Sequence, residues 1–147
     1  MTRGPTSFSG MFVSCLMTVD EFIEWESEQP DRWEFIGGQP VPVAQSTHAR
    51  SLLIADIVAI LRPAVRGTVL RVLPNFRIRY ANEIRYPAVM VDAGPYVPSA
   101  TEPTQPFAII DVDRDRDWSG LPGVRYLSLN TGDEPDRVLT LLPMRTN

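Results

Sequence analysis

Apolar residues recur at helical spacing in two places in the first half of the chain, and each run begins with a capping signal. The first run follows Thr18, which can form a capping box with Glu21, and Pro30 marks its end. The second run follows Ser46-Thr47 and is closed by Pro63. These signals predict two amphipathic helices.

Between the two helices the pattern is that of a hairpin. Trp33–Ile36 and Gln39–Val43 flank Gly37-Gly38, and paired glycines supply the positive φ values that a tight turn needs. Pro40 and Pro42 cannot donate backbone hydrogen bonds, so the second arm is predicted to be an edge strand.

After Gly67 the pattern is that of strands. Two short apolar runs, Arg85–Val91 and Pro106–Val112, have no polar face and are typical of adjacent strands buried on both sides. The proline-rich stretch between them predicts a loop that could cover a site. Further strands are predicted over Thr68–Leu73, Asn75–Tyr80, a run ending at Leu129, and Arg137–Leu142, which would close the sheet.

Composition indicates a globular domain that needs neither a disulfide nor a cofactor to fold. The chain has 147 residues, a single cysteine (Cys15) and a single histidine (His48), which excludes a disulfide framework and the usual zinc sites. Residues 1–16 are predicted to be an N-terminal extension and residues 17–147 one domain. With neither an export signal nor a run of about 18 apolar residues, we expect a cytoplasmic protein that is not inserted in a membrane.

All 14 basic residues other than histidine are arginines, and the net charge is -4. This charge argues against a large basic nucleic-acid surface but leaves room for a local one. Arg77 and Arg79 alternate with Phe76, Ile78 and Tyr80, so they line one face of a predicted strand. Two interpretations stay open: the arginines bind a DNA phosphate backbone, or the face is merely solvated.

Asp111 lies inside a predicted buried strand, where an ionised side chain is costly unless it is paired, so it is either at a strand end that reaches water or at a functional site. The order of Tyr86-Pro87-Ala88 followed by Ile110-Asp111-Val112 resembles the Uma-type restriction endonucleases, which have the PD-(D/E)xK nuclease fold. The resemblance runs from Met17 to about Leu142. It implies an α/β fold in which a mixed central sheet is flanked by the two helices.

The resemblance also implies a Mg²⁺ site, at which this chain departs from the family pattern. Ala88 stands where the family has aspartate, and Asp111 stands where it has glutamate. Glu34 matches a family glutamate, either as an auxiliary ligand or as a solvated edge carboxylate. Asp113 is expected to share the face of Asp111, and Ala88 to face the same cleft.

The lysine of the family comes from a helix after the second central strand. Here the chain passes from the charged run Asp113–Asp117, which is predicted to be a solvated loop, almost directly to Leu121-Pro122. That helix is therefore missing, and no lysine exists elsewhere. Arg114 or Arg116 could supply positive charge, but an arginine cannot act as a base.

These departures favour a protein that has lost metal-dependent hydrolysis and serves as a binding or assembly module, expected to be a homodimer. The vestigial site would contain Asp111 as the metal ligand, with Glu34 and Asp113. The alternative is a Mg²⁺-dependent DNA endonuclease whose rearranged site uses these same three carboxylates. A third interpretation is a remnant without a molecular partner.

Overall fold

The computed structural model describes residues 17–143, so the predicted N-terminal extension at 1–16 lies outside the described residues. The described chain separates into two units, one formed by residues 17–43 and 82–84 and the other by residues 44–81 and 85–143. The elements in chain order are α1 (Val19–Glu26), β1 (Trp33–Ile36), β2 (Gln39–Pro42), α2 (His48–Ala64), β3 (Arg71–Pro74), β4 (Ile78–Tyr80), β5 (Glu83–Arg85), β6 (Val89–Asp92), β7 (Pro106–Val112), β8 (Arg125–Leu129) and a 3-10 helix (Pro135–Leu141).

In the first unit, the predicted capping box and hairpin are both present. The Thr18 hydroxyl accepts the backbone N–H of Glu21 at 3.1 Å, and the Glu21 carboxylate accepts that of Thr18 at 2.9 Å. Gly37 and Gly38 have φ values of 64° and 81° in the turn between β1 and β2. Helix α1 ends at Glu26, earlier than Pro30 suggests.

The second unit is built on a mixed sheet with the strand order β3-β6-β7-β8. β6 pairs antiparallel with β3 and β7, whereas β7 and β8 are parallel. The two apolar runs are therefore adjacent central strands, as predicted, with Val89 opposite Ile110.

Each face of this sheet has its own hydrophobic cluster, because successive residues of a strand point to opposite sides. The α2-side cluster contains residues of helix α2, the sheet and the 3-10 helix, among them Leu53, Ile57, Leu61, Val89, Val91, Ile110 and Val138. The Trp118-side cluster contains Ile78, Met90, Ile109 and Trp118.

The expected final strand over Arg137–Leu142 is wrong, because this segment belongs to the 3-10 helix. Pro135 stands at the start of the helix, where a missing N–H does no harm, and the buried residues Val138 and Leu141 are three positions apart. Three-residue spacing places both side chains on one side of a 3-10 helix, toward the core. Within residues 17–143, no helix has the length and apolar character needed to cross a lipid bilayer.

The connection from β7 to β8 contains no helix. Parallel strands are usually joined by a helical crossover, yet residues 113–124 pass between the two strands in turns and irregular structure. The structure therefore agrees with the sequence in lacking a helix between the second central strand and Leu121.

Candidate functional site

The carboxylate of Asp111 is buried and fully engaged by two side chains from the β7–β8 connection. Asp111 is 1% exposed. Its Oδ2 accepts the Nε–H of Arg116 at 3.1 Å and the indole N–H of Trp118 at 2.8 Å. Its Oδ1 accepts an Nη2–H of Arg116 at 3.0 Å. This is a forked guanidinium–carboxylate pair with a third donor, and such a pair is among the stronger polar contacts in proteins.

Trp118 is itself held in place by aromatic and cationic neighbours. Its indole ring is 1% exposed, and the ring of Tyr80 meets it edge-on with centroids 5.5 Å apart. The guanidinium of Arg85 lies 3.9 Å from the Tyr80 ring centre and 4.7 Å from that of Trp118. Arg85 also donates to the carbonyl of Asp117 at 2.8 Å. The irregular connection is thus fixed by aromatic, cationic and backbone contacts.

Two further acids of the connection are bound to nearby backbone groups. Asp113, with φ of 59°, accepts the Thr131 N–H at 2.7 Å and its hydroxyl at 2.8 Å, and these bonds lower the pKa of Asp113. The N–H of Ser119 lies 2.9 Å from an Asp117 oxygen, and bonding to Ser119 lowers the pKa of Asp117. Hydrogen bonds to a charged carboxylate favour its charged form.

The expectation that Ala88 and Asp111 face one cleft is wrong. Ala88 occupies a bend directly before β6, is 1% exposed, and belongs to the α2-side cluster. Asp111 bonds to Trp118, so its carboxylate lies on the opposite side of the sheet. The bend interrupts the regular alternation on which the expectation depends.

Comparison with solved structures identifies the architecture. The chain is similar to a crystal structure from Anabaena variabilis described as a "putative nuclease belonging to DUF820", with a TM-score of 0.61 and 15% sequence identity, over 78% of this chain and 74% of that one. The chain has a restriction-endonuclease-like fold. No protein-family model matches it, and no curated protein is significantly similar to it.

Nucleases with the restriction-endonuclease-like fold use Mg²⁺, but the carboxylate oxygens of Asp111 and Asp113 are not arranged to bind that ion. Mg²⁺ needs free carboxylate oxygens, and both oxygens of Asp111 already accept hydrogen bonds from cationic or indole donors. Asp113 is bound to Thr131. Among residues 17–143, no cluster of three or more acidic, histidine or cysteine side chains is arranged to hold a metal ion.

Glu34, the third carboxylate of the predicted site, lies in the first unit. It is in β1, paired with Val41 of β2, and only 2% exposed. The interpretation of Glu34 as a solvated edge residue is therefore wrong, because β1 pairs with β2 on one side and with β5 on the other and is not an edge strand.

The arginine-lined strand face exists, and both arginines reach one acid in the proline-rich loop. Glu102 lies 3.4 Å from Arg77 Nη2 and 3.1 Å from Arg79 Nε. Arg77 also donates to the Thr101 hydroxyl at 3.0 Å. The face is thus neither bare nor simply solvated.

The roles of Arg116 and Trp118 do not follow from the charge pattern of the sequence. Alternating charges over Asp113–Asp117 indicate a solvated loop, whereas Arg116 in fact reaches back to a buried acid. One signal points the other way: Trp118 is a large apolar residue directly after five charged ones, and it marks the point where the chain returns to the core.

Proposed function

We propose that this chain is a nuclease-like protein that does not hydrolyse phosphodiesters and acts as a binding module. The observation that carries the proposal is the occupation of both Asp111 oxygens by Arg116 and Trp118. A guanidinium in this position neutralises the buried acid, as a metal ion would, but offers no exchangeable site for water or for a substrate phosphate.

The chemistry available around Asp111 supports the same conclusion. Metal-assisted hydrolysis needs a nucleophile generated from water and an electrophile that stabilises charge on phosphorus. An arginine cannot act as a base, and Arg116 is already paired with Asp111, so it cannot take a proton from water. Lysine, the usual partner of the acid in this fold, is absent from the whole sequence.

Self-association is part of the proposal, as expected from the sequence. β3 and β8 are the outer strands of the second sheet, and outer strands are the parts of a sheet that most often need a partner. Sedimentation equilibrium over a range of protein concentrations tests this, and a mass equal to one chain at all concentrations would contradict it.

The test of the main proposal is a cleavage assay with supercoiled plasmid and single-stranded DNA in Mg²⁺ or Mn²⁺. We expect no cleavage above that of a mock purification from cells without the gene. Reproducible cleavage that disappears in Asp111→Ala would overturn the proposal and support the rearranged-site alternative. Cleavage that persists in Asp111→Ala would indicate a contaminant.

A further inference from the structure

The two outer strands of the second sheet differ in how much of their main chain is open to a further strand. On the β3 side, the N–H of Asn75 bonds to the Ala88 carbonyl at 3.0 Å. Main-chain groups of a paired strand alternate in direction, so Val72 and Pro74 direct theirs away from β6. Pro74 has no N–H to donate, and the N–H of Leu70 already bonds to a neighbouring threonine hydroxyl at 3.1 Å. The β3 edge is therefore largely closed.

The outer edge of β8 is open in the middle of the strand. The N–H of Asp113 bonds to the Leu129 carbonyl at 2.8 Å, so Leu129 directs its main chain toward β7. By alternation, the N–H and C=O groups of Tyr126 and Ser128 point to the outer side. Within residues 17–143, β7 is the only strand that pairs with β8. These outward groups are therefore available to a further strand.

The open part of β8 is short, because local hydrogen bonds close the edge beyond it. The N–H of Asn130 donates to the Asp133 carboxylate at 2.7 Å, and the Asn130 carbonyl accepts the Asp133 N–H at 2.8 Å. Before the strand, the N–H of Val124 bonds to the Leu121 carbonyl at 3.2 Å. A partner strand would therefore gain its hydrogen bonds at Tyr126–Ser128.

The side chains of β8 also leave this edge unprotected. Edge strands are commonly protected by prolines or by charged side chains. β8 contains no proline, and its one charged residue, Arg125, donates to the Leu141 carbonyl at 2.7 Å while its guanidinium lies 4.9 Å from the Phe107 ring centre. Tyr126 is 44% exposed, and Leu127 is half-buried against the α2-side cluster.

We infer that β8 is the self-association strand of this protein and pairs antiparallel with β8 of a second copy, about a two-fold axis at Leu127. In that register Tyr126 lies opposite the partner's Ser128, and the outward groups of both residues are satisfied in both copies. The open groups are symmetric about Leu127, and this symmetry identifies the partner as a second copy. The inference rests on the self-association in the proposed function and names the surface responsible. Such an isologous contact closes with two chains.

Cysteine crosslinking tests the register. Both variants are made together with Cys15→Ser, so that no other thiol is present. The Cα atoms of the two copies should be about 4.5 Å apart at Leu127, within disulfide range, and about 7–8 Å apart at Tyr126, beyond it. Under mild oxidation, we expect Leu127→Cys to form mostly crosslinked dimer and Tyr126→Cys little. Tyr126 is the more exposed of the two, so random collision would reverse this order, and that result would overturn the inference.

Proline substitution tests the hydrogen bonds. Ser128→Pro removes an outward N–H from each copy and leaves the ladder to β7 intact, and Val72→Pro does the same on β3 as the matched control. In sedimentation equilibrium, the dimer dissociation constant should rise at least about fivefold in Ser128→Pro and stay unchanged in Val72→Pro. Equal weakening in both variants, or none in Ser128→Pro, would overturn the inference. Circular dichroism and thermal melting confirm that each variant is folded.

The possible results distinguish this inference from the proposed function. A wild-type protein that is monomeric at all concentrations would contradict both self-association and the β8 interface. A wild-type dimer that neither crosslinks in Leu127→Cys nor weakens in Ser128→Pro would keep self-association and refute β8 as its surface. The cleavage assay is independent of both, because it measures hydrolysis alone.

Discussion

Removing the guanidinium that neutralises Asp111 should destabilise the protein strongly. In Arg116→Met the apolar stem is largely kept, but Asp111, which is 1% exposed, loses both hydrogen bonds from the guanidinium and keeps the one from the Trp118 indole. Breaking one side of a buried ion pair typically costs about 3–5 kcal/mol, because the remaining charge stays desolvated. With a urea m-value of about 2 kcal/mol per M, the unfolding midpoint should fall by roughly 1.5–2.5 M.

A double-mutant cycle separates this interaction from general damage. Asp111→Asn keeps an acceptor for Trp118 but breaks the same buried ion pair from the other side, at an Arg116 side chain that is 13% exposed, so it too should cost about 3 kcal/mol. The double variant with Arg116→Met lacks both charges. Its loss of unfolding free energy should be smaller than the sum of the two single losses by at least about 1 kcal/mol.

A surface ion pair provides the matched control. Arg137 lies 3.7 Å from Asp133 and is 52% exposed, so Arg137→Met should cost less than about 1 kcal/mol. If Arg116→Met costs no more than this control, the buried pair does not form in solution, and the argument against a metal site fails with it.

Three further outcomes follow from contacts in the second unit. Ala88→Asp places a carboxylate in the α2-side cluster, so it should lower the free energy of unfolding by about 3 kcal/mol or more. Calorimetric titration should show no change in Mg²⁺ affinity, and an increased affinity would support the hypothesis that residue 88 and Asp111 face one cleft. Trp118→Phe removes one donor to Asp111 and should cost about 1–3 kcal/mol in urea unfolding; an unchanged midpoint would mean that the indole N–H bond contributes nothing. Thr131→Val should raise the pKa of Asp113 in a carboxyl NMR titration while leaving it below the ordinary value, since the backbone N–H, the larger cause, remains. Because folding lowers the pKa of Asp113, the stability that this carboxylate contributes is present above its pKa in the unfolded chain and is lost as the pH falls through its pKa in the folded protein. If the pKa of Asp113 is unchanged in Thr131→Val, the Thr131 hydroxyl is not one of its causes.

Local signals explain most of what can be predicted correctly from the sequence. The capping box at Thr18 and the glycine pair at 37–38 depend only on residues three or fewer positions apart. The pairing of β6 with β7 is predictable because both runs are apolar on each face. Such features need no knowledge of the path of the chain elsewhere.

The predictions that are wrong concern residues whose positions depend on the path of the chain outside their own segment. Strand alternation extended through Pro87 assigns Ala88 to the wrong face, because a bend breaks the alternation there. The contact of Arg116 with Asp111 spans a strand end and an irregular connection, for which no periodicity exists. The 3-10 helix at Pro135–Leu141 resembles a strand in sequence, because a seven-residue apolar–polar segment fits either pattern.

The helix-free connection between β7 and β8 has a consequence for any attempt to restore hydrolysis. Residues 113–124 not only omit the element that would bring a lysine but also cover the sheet with Trp118 and neutralise its acid with Arg116. Introducing a lysine or a second carboxylate one residue at a time would meet a space that is already packed. Restoring hydrolysis therefore requires that the whole connection be exchanged at once. Any stepwise variant that lacks Arg116 would keep the charged carboxylate of Asp111 buried without its guanidinium partner.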